Sequence, residues 1–146
     1  MNYDILKLEN QLCFPIYACS REIVKKYKPF LNEIGLTYTQ YIVMLVLWEK
    51  KSTNVKSLGE YLYLDSGTLT PLLKKLESVG LVSRTRLAED ERNLIVTITD
   101  KGERLKDKAV NIPLKLASCI NLSVEEAKIL YNLLYKILDE SKEIEL

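Results

Sequence analysis

Histidine is absent from the 146-residue chain. That removes Ser-His-Asp and Cys-His catalysis, and every His-ligated metal site, from the possible chemistries. Cysteine is sparse, and the three present, Cys13, Cys19 and Cys119, form no Cys-x-x-Cys pair. A zinc ribbon and a thioredoxin-type redox motif are thereby excluded. No stretch of ~20 consecutive apolar residues occurs, so no helix is expected to span a membrane. The opening Met1-Asn2-Tyr3-Asp4 lacks the basic and then apolar build of a secretory signal. Low-complexity tracts, internal repeats and Gly/Ser- or Pro-rich linkers are also missing. No cofactor is expected.

What is present suits one domain. A chain of this length hides roughly two-thirds of its unfolded surface and needs no disulfide framework to fold. Its 47% apolar and 28% charged residues fit a soluble globular protein. Without an export signal the thiols are expected to sit reduced in the cytoplasm, where a free cysteine is ordinarily a small buried apolar residue. The net charge of +1 is uninformative, but its distribution is not. From Lys50 to Arg86 seven basic residues stand against three acidic ones, whereas from Ile120 to Leu146 three lysines face six carboxylates. A basic middle with an acidic end points to a polyanionic partner for the middle.

Helical periodicity dominates. A first helix is expected from about Leu8 to Tyr27, on the recurrence of Leu12, Ile16, Cys19 and Ile23. Pro15 makes it start near Cys13 or kink there, and Pro29 marks its far end. A second helix spans about Thr39 to Lys50, and a third covers Val55 to Leu62 behind the capping types Thr53 and Asn54. The fourth begins at Asp65, carries Leu69, Leu72, Leu73, Leu76 and Val79 on one face, and stops at Gly80. Residues Leu81–Arg86 and Asn93–Thr99 then read as two strands around a polar turn at 88–92. Helix resumes after Thr99 and is interrupted at Pro113. A last helix opens at Ser123, whose spacing to Glu126 makes a capping box. Its stripe of Ile129, Leu130, Leu133, Leu134, Ile137 and Leu138 is too wide for one small core and implies a partner subunit.

Three helices followed by a hairpin is the winged helix-turn-helix plan, mainly α with a small β-hairpin. The fourth helix becomes the recognition helix. Its apolar face points inward, leaving Ser66, Thr68, Thr70, Pro71, Lys74 and Lys75 outside. Short hydroxyls near a helix N-terminus reach base edges in the major groove, and lysines a turn or two later reach phosphates. The wing adds Arg84, Arg86 and Arg92, and an arginine at a hairpin tip can enter a minor groove.

The run Asp65-Ser66-Gly67-Thr68-Leu69-Thr70-Pro71-Leu72-Leu73-Lys74-Lys75-Leu76-Glu77 resembles the MarR family of dimeric repressors, as does Asp90-Glu91-Arg92 leading into Ile98-Thr99. The blocks Leu8-Glu9-Asn10-Gln11-Leu12-Cys13-Phe14 with Tyr17, and Leu36-Thr37-Tyr38-Thr39-Gln40-Tyr41, resemble its organic-hydroperoxide-sensing, OhrR-like branch. The likeness runs from about Leu6 to Leu138. It implies a homodimer on a pseudo-palindromic double-stranded DNA operator, with residues 36–101 as the DNA-binding part of a single domain. Residues 1–35 and 102–146 would supply the dimerisation helices. It also implies a reactive Cys13, held by Tyr27 and Tyr38 of the other subunit with Tyr17 nearby, and an organic hydroperoxide as effector. A thiolate attacks the peroxide oxygen, and phenol donors favour that thiolate. The sulfenic acid so formed can be trapped by a second thiol as a disulfide. Cys119 lies near the resolving position of two-cysteine members, though the spacing does not match cleanly. Cys13–Cys119 across the dimer is therefore the expected pairing, with Cys19 or a small thiol as alternatives. Cys19 itself, six residues from Cys13 on another face, reads as structural. The likeness implies that Asp90 orients a wing arginine without touching DNA.

Two other functions are compatible with parts of this pattern. One is a MarR-type regulator answering a small phenolic ligand or a general redox or virulence signal. The other is a thiol peroxidase built on Cys13, but no motif places a cation beside that thiol and the winged helix would be unexplained.

Overall fold

A computed structural model describes the backbone at residues 1–88 and 90–142, and the side chains among them except those at 90–92 and 140–142. Two short 3-10 turns, Asp4–Leu6 and Leu8–Asn10, precede α1 (Cys13–Asn32) and α2 (Tyr38–Lys50). Then come β1 (Ser52–Asn54), α3 (Val55–Leu62), α4 (Ser66–Ser78), β2 (Val82–Leu87) and β3 (Asp90–Ile98). Helices α5 (Asp100–Ala109), α6 (Ile112–Ala117) and α7 (Val124–Lys142) complete the described chain. It divides into two compact units, Met1–Pro113 and Leu114–Leu146. Helices α1 and α5 thus share a unit with the winged-helix elements.

Local chemistry sets most helix boundaries. Helix α1 begins at Cys13, which puts Pro15 in the first turn. A backbone N–H there has no partner within the helix, so the proline removes nothing. Pro29 does not end the helix as its sequence position suggested. Helix α1 runs on to Asn32, because Leu31 is buried and Tyr27 and Phe30 pack against the core on either side of the proline. Thr37 and Gln40 form a capping box at the start of α2, and the Asn54 side chain accepts from Ser57 N–H at 2.7 Å to cap α3. Asp65 caps α4, accepting from Thr68 N–H at 2.7 Å. Gly80 takes φ +77°, a left-handed turn that releases the chain from α4 into β2. In the second unit Ser123 and Glu126 form the expected reciprocal box at α7.

Helix α2 lies at the centre of the first unit. Tyr41, Val43, Met44, Leu47 and Trp48 are all buried, on more than one face. They pack with Leu31 of α1, Leu58 of α3, Leu69, Leu73 and Leu76 of α4, and Val82 and Val96 of the sheet. The sheet has three antiparallel strands in the order β1-β3-β2, and so exceeds the two-stranded hairpin expected from the sequence. Ser52, Thr53 and Asn54 pair with Thr97, Val96 and Ile95. The wing also differs from expectation. Strand β3 starts at Asp90, so Asp90, Glu91 and Arg92 have strand backbone instead of forming a turn. A register shift lies between Arg86 and Leu87, the latter paired with Asp90.

One joint ties α2 and the start of α5 to the turn that enters β2. Trp48 Nε1 donates to the Gly102 carbonyl at 2.9 Å, and Thr99 caps α5 by accepting from Gly102 N–H at 3.1 Å. A Cβ on Gly102 would fall against the Leu81 carbonyl oxygen and within 2.8 Å of Ile98 Cγ1. Backbone cannot yield as a side chain can. Gly102→Ala is expected to destabilise the protein by about 3 kcal/mol, near the top of the overpacking range. Urea unfolding would read this as a lower midpoint at unchanged slope.

Candidate nucleic-acid interface and thiol site

The α3–α4 pair forms a helix-turn-helix, with Tyr63 in the left-handed region at φ 54° in the connection. Burial of Leu69, Leu73 and Leu76 turns the other face of α4 outward. Ser66, Thr68, Thr70, Pro71, Lys74 and Lys75 are all exposed. Thr70 Oγ1 donates to the Ser66 carbonyl at 2.8 Å. Asp65 is held below the usual carboxylate range by the Thr68 backbone N–H it accepts from, so it remains an anion at neutral pH.

Arg86 is exposed on β2, whereas Arg84 is half-buried and paired within the chain. Its Nη2 and Nε donate to Glu77 Oε2 at 2.8 and 3.0 Å, and its backbone N–H donates to Glu77 Oε1 at 3.1 Å. Only 18% of the Arg84 side chain is exposed. Its charge therefore already has a partner inside the chain. Arg84 also holds Glu77 below the usual carboxylate range, first through the side-chain hydrogen bond. The side chains of Asp90 and Arg92 lie outside the described residues.

Cys13 occupies the first residue of α1, exposed, at the end where helix N–H groups have no internal partner. Tyr17 stands one turn later, 58% exposed, and its hydroxyl accepts from Arg21 Nη1 at 3.2 Å. Tyr27 stands fourteen residues after Cys13 on the same helix, a rise of about 21 Å. Tyr27 and Cys13 of one chain therefore cannot touch. Instead, the turn at Gly35 folds Tyr27 against the start of α2. Its ring lies 4.9 Å from Tyr38 and 5.7 Å from Tyr41, centroid to centroid. Burial, with the neighbouring Tyr38 and Tyr41, pushes the Tyr27 phenol up to about 12, and burial also raises Tyr38 and Tyr41. All three keep their protons at any physiological pH and can only offer hydrogen bonds as neutral phenols. Tyr41 was not singled out by sequence reasoning as a site residue. The ring stack continues through Tyr41 to Trp48 at 6.2 Å, and so to the Gly102 joint.

Cys19 is exposed in the chain, against its reading as a buried structural residue, and Cys119 is exposed too. A side chain on a helix face that a second subunit would cover carries the same sequence signature as one in the core. Cys119 follows α6 in the second unit, with Sγ 3.4 Å from the Lys115 carbonyl. Among the described residues no group of acidic and cysteine side chains could hold a metal ion, and no helix is long and apolar enough to cross a membrane.

Residues 25–109 match the family described as transcriptional regulator SarA/Rot. The organic hydroperoxide resistance transcriptional regulator of Bacillus subtilis is 50% identical over 137 residues, covering 94% of this chain and 93% of that protein. The chain belongs to the MarR family, in its OhrR-like branch. Within that family, the HTH-type transcriptional regulator SarZ of Staphylococcus aureus is 47% identical over 125 residues, covering 86% of this chain and 84% of that one. The structure of reduced AbfR bound to DNA has a TM-score of 0.77 at 38% identity, covering 92% of this chain and 94% of that one. Overoxidised AbfR bound to DNA gives the same TM-score of 0.77 at 39% identity, over 96% and 98%. AbfR is a protein of Staphylococcus epidermidis. These MarR-family relatives are transcriptional regulators and not enzymes, and the winged-helix fold is shared with them.

Proposed function

We propose that this MarR-family chain is a homodimeric repressor that leaves its operator when an organic hydroperoxide oxidises Cys13. The observation that carries the reading is the split thiol site: an exposed Cys13 at the start of α1, and a cluster of protonated phenols about 21 Å further along the same helix. A second copy, set antiparallel along α1, would bring the phenols of one subunit to the thiol of the other. The Cys13 thiolate attacks the hydroxyl oxygen of the hydroperoxide, the O–O bond breaks, and the departing alkoxide takes up from water the proton that the thiol had released, leaving as the alcohol. Cys13 is then a sulfenic acid. Attack on its sulfur by the Cys119 thiol forms a disulfide and releases water.

On the operator, Ser66, Thr68, Thr70 and Pro71 meet base edges in the major groove, and Lys74, Lys75 and Arg86 meet phosphates. The minor-groove contact is assigned to Arg92 by family likeness, and its side chain and that of Asp90 lie outside the described residues. The two recognition helices must stand about one DNA turn apart, ~34–36 Å, to fill both half-sites. A disulfide that pulls the first unit toward the partner's second unit would change that separation. The overoxidised relative is bound to DNA, so oxidation alone does not exclude binding in that protein. By likeness we assign the releasing step here to the disulfide and not to added oxygen.

The test is operator release from Cys119→Ser. This variant is expected to bind like the wild type when reduced, and to need at least tenfold more cumene hydroperoxide for release. Wild-type release by the variant would contradict the disulfide step. A second reading, response to a small phenolic ligand, is favoured by one observation. An apolar recess of about 350 Å³ is lined by Tyr41, Leu45, Trp48 and Val110, together with Glu49 and Lys106. Operator release by salicylate without any change in mass would support that reading instead.

A further inference from the structure

Glu77 stands in the last turn of α4, and Arg84 is the third residue of β2. Between them lies only the turn through Gly80 into Leu81. One carboxylate takes three donors across that turn, two from the guanidinium and one from the Arg84 backbone. The same junction is held from its other side. Lys101 Nζ donates to the Val79 carbonyl and Thr99 Oγ1 to the Gly80 carbonyl, both at 2.6 Å. Thr99 N–H completes the set on the Leu81 carbonyl at 3.1 Å. The place where recognition helix becomes wing is therefore fastened by side chains of α4, β2 and α5.

We propose that the Glu77–Arg84 pair is a clamp that fixes the angle of the wing to the recognition helix, making Arg84 a positioning residue for operator binding. This rests on the DNA-binding reading above. The fork geometry of guanidinium on carboxylate fixes direction as well as distance, which a single point contact does not. From Arg84 to the end of β2 the strand runs about 10 Å. A swing of about 10° at the clamp would shift the wing tip by about 2 Å, enough to break a hydrogen bond with a tolerance of a few tenths. Major-groove contacts made by α4 itself would be unaffected.

The test measures affinity for a duplex that the protein selects from a random library, over a series of salt concentrations. Glu77→Gln and Arg84→Gln are each expected to weaken binding about tenfold, and the double variant no further, since both remove the same clamp. The slope of log affinity against log salt should change by the same amount in Glu77→Gln and Arg84→Gln, because both displace the same wing contacts and neither removes a phosphate ligand of its own. Lys75→Ala, the control, should flatten that slope by about one counterion. Hydroxyl-radical footprints of the two clamp variants should lose the outer flanks and keep the recognition-helix bases. Arg84→Lys keeps the charge without the fork and is expected to behave like Arg84→Gln, which covers the case of a variant that folds poorly. A flattened slope for Arg84→Gln with wild-type binding by Glu77→Gln would overturn the clamp and make Arg84 a phosphate ligand. Wild-type affinity in both, or in Arg84→Lys, would also overturn it. Salt-insensitive binding by the wild type and by Lys75→Ala alike would instead sink the DNA-binding reading, and the clamp with it.

Discussion

Cys13→Ser protein is expected to bind its operator as tightly as the reduced wild type and to remain bound at hydroperoxide doses that free the wild type completely. The substitution is nearly isosteric, at an exposed first residue of α1, so neither the helix start nor the distant α4 surface is disturbed. What disappears is the nucleophile. A serine hydroxyl does not ionise at neutral pH and has no reaction with a peroxide oxygen, whereas a thiolate does. The shift in dose should exceed a hundredfold, limited only by slow oxidation elsewhere. Tyr27→Phe and Tyr38→Phe should fall between the two proteins. Each removes one neutral donor from the phenol cluster while the ring keeps packing, so operator affinity holds and the rate of response drops. Fluorescence anisotropy of labelled operator across a dose series measures all four proteins together. Release of Cys13→Ser at the wild-type dose would end the sensor reading while leaving the winged helix intact.

Glutamates at Leu133 and Ile137 together are expected to lower operator affinity by at least a hundredfold and to yield monomeric or unfolded chains. Ile129, Leu133 and Ile137 lie at i, i+4 and i+8 on α7, and they are 61%, 55% and 50% exposed. A face of that kind is not left to solvent when each such side chain contributes about 1.5–3 kcal/mol on burial. The N-terminal segment is similarly bare, with Ile5, Leu6 and Leu12 each more than 70% exposed. Two charges in the centre of a subunit contact would each require burial without a partner. A monomer would reach one half-site and forfeit the linked second contact. Sedimentation velocity reads the mass, and circular dichroism separates a folded monomer from an unfolded one. A folded dimer with wild-type affinity would show that α7 does not join the subunits.

Features governed by neighbouring residues were legible in the sequence, and features governed by distant ones were not. The caps at Asp65 and Ser123 rest on partners three residues away, and both formed. The α4 face was readable because Leu69, Leu73 and Leu76 repeat at helical spacing. Strand β1 was invisible, since Ser52-Thr53-Asn54 is too short and polar to show alternation and pairs with a strand forty residues on. The polar Asp90-Glu91-Arg92 reads as a turn, yet pairing with β2 draws its backbone into β3. The pairing of Arg84 with Glu77 was not legible, because sequence gives a charge but not its partner. A carboxylate seven residues upstream, across a glycine turn, was the one available signal. The exposed cysteines show the same limit from another side, since apolar spacing cannot say whether a face is covered by its own chain or by a second one.

The central claim is that operator release follows the chemical state of Cys13. One sample, titrated with cumene hydroperoxide, can be split between operator anisotropy and intact and peptide mass spectrometry. The fraction of operator freed should equal the fraction of Cys13 in a disulfide with Cys119 at every dose, and dithiothreitol should restore both together. Operator freed while Cys13 is still a thiol, or retained while Cys13 is wholly in the disulfide, would contradict the account.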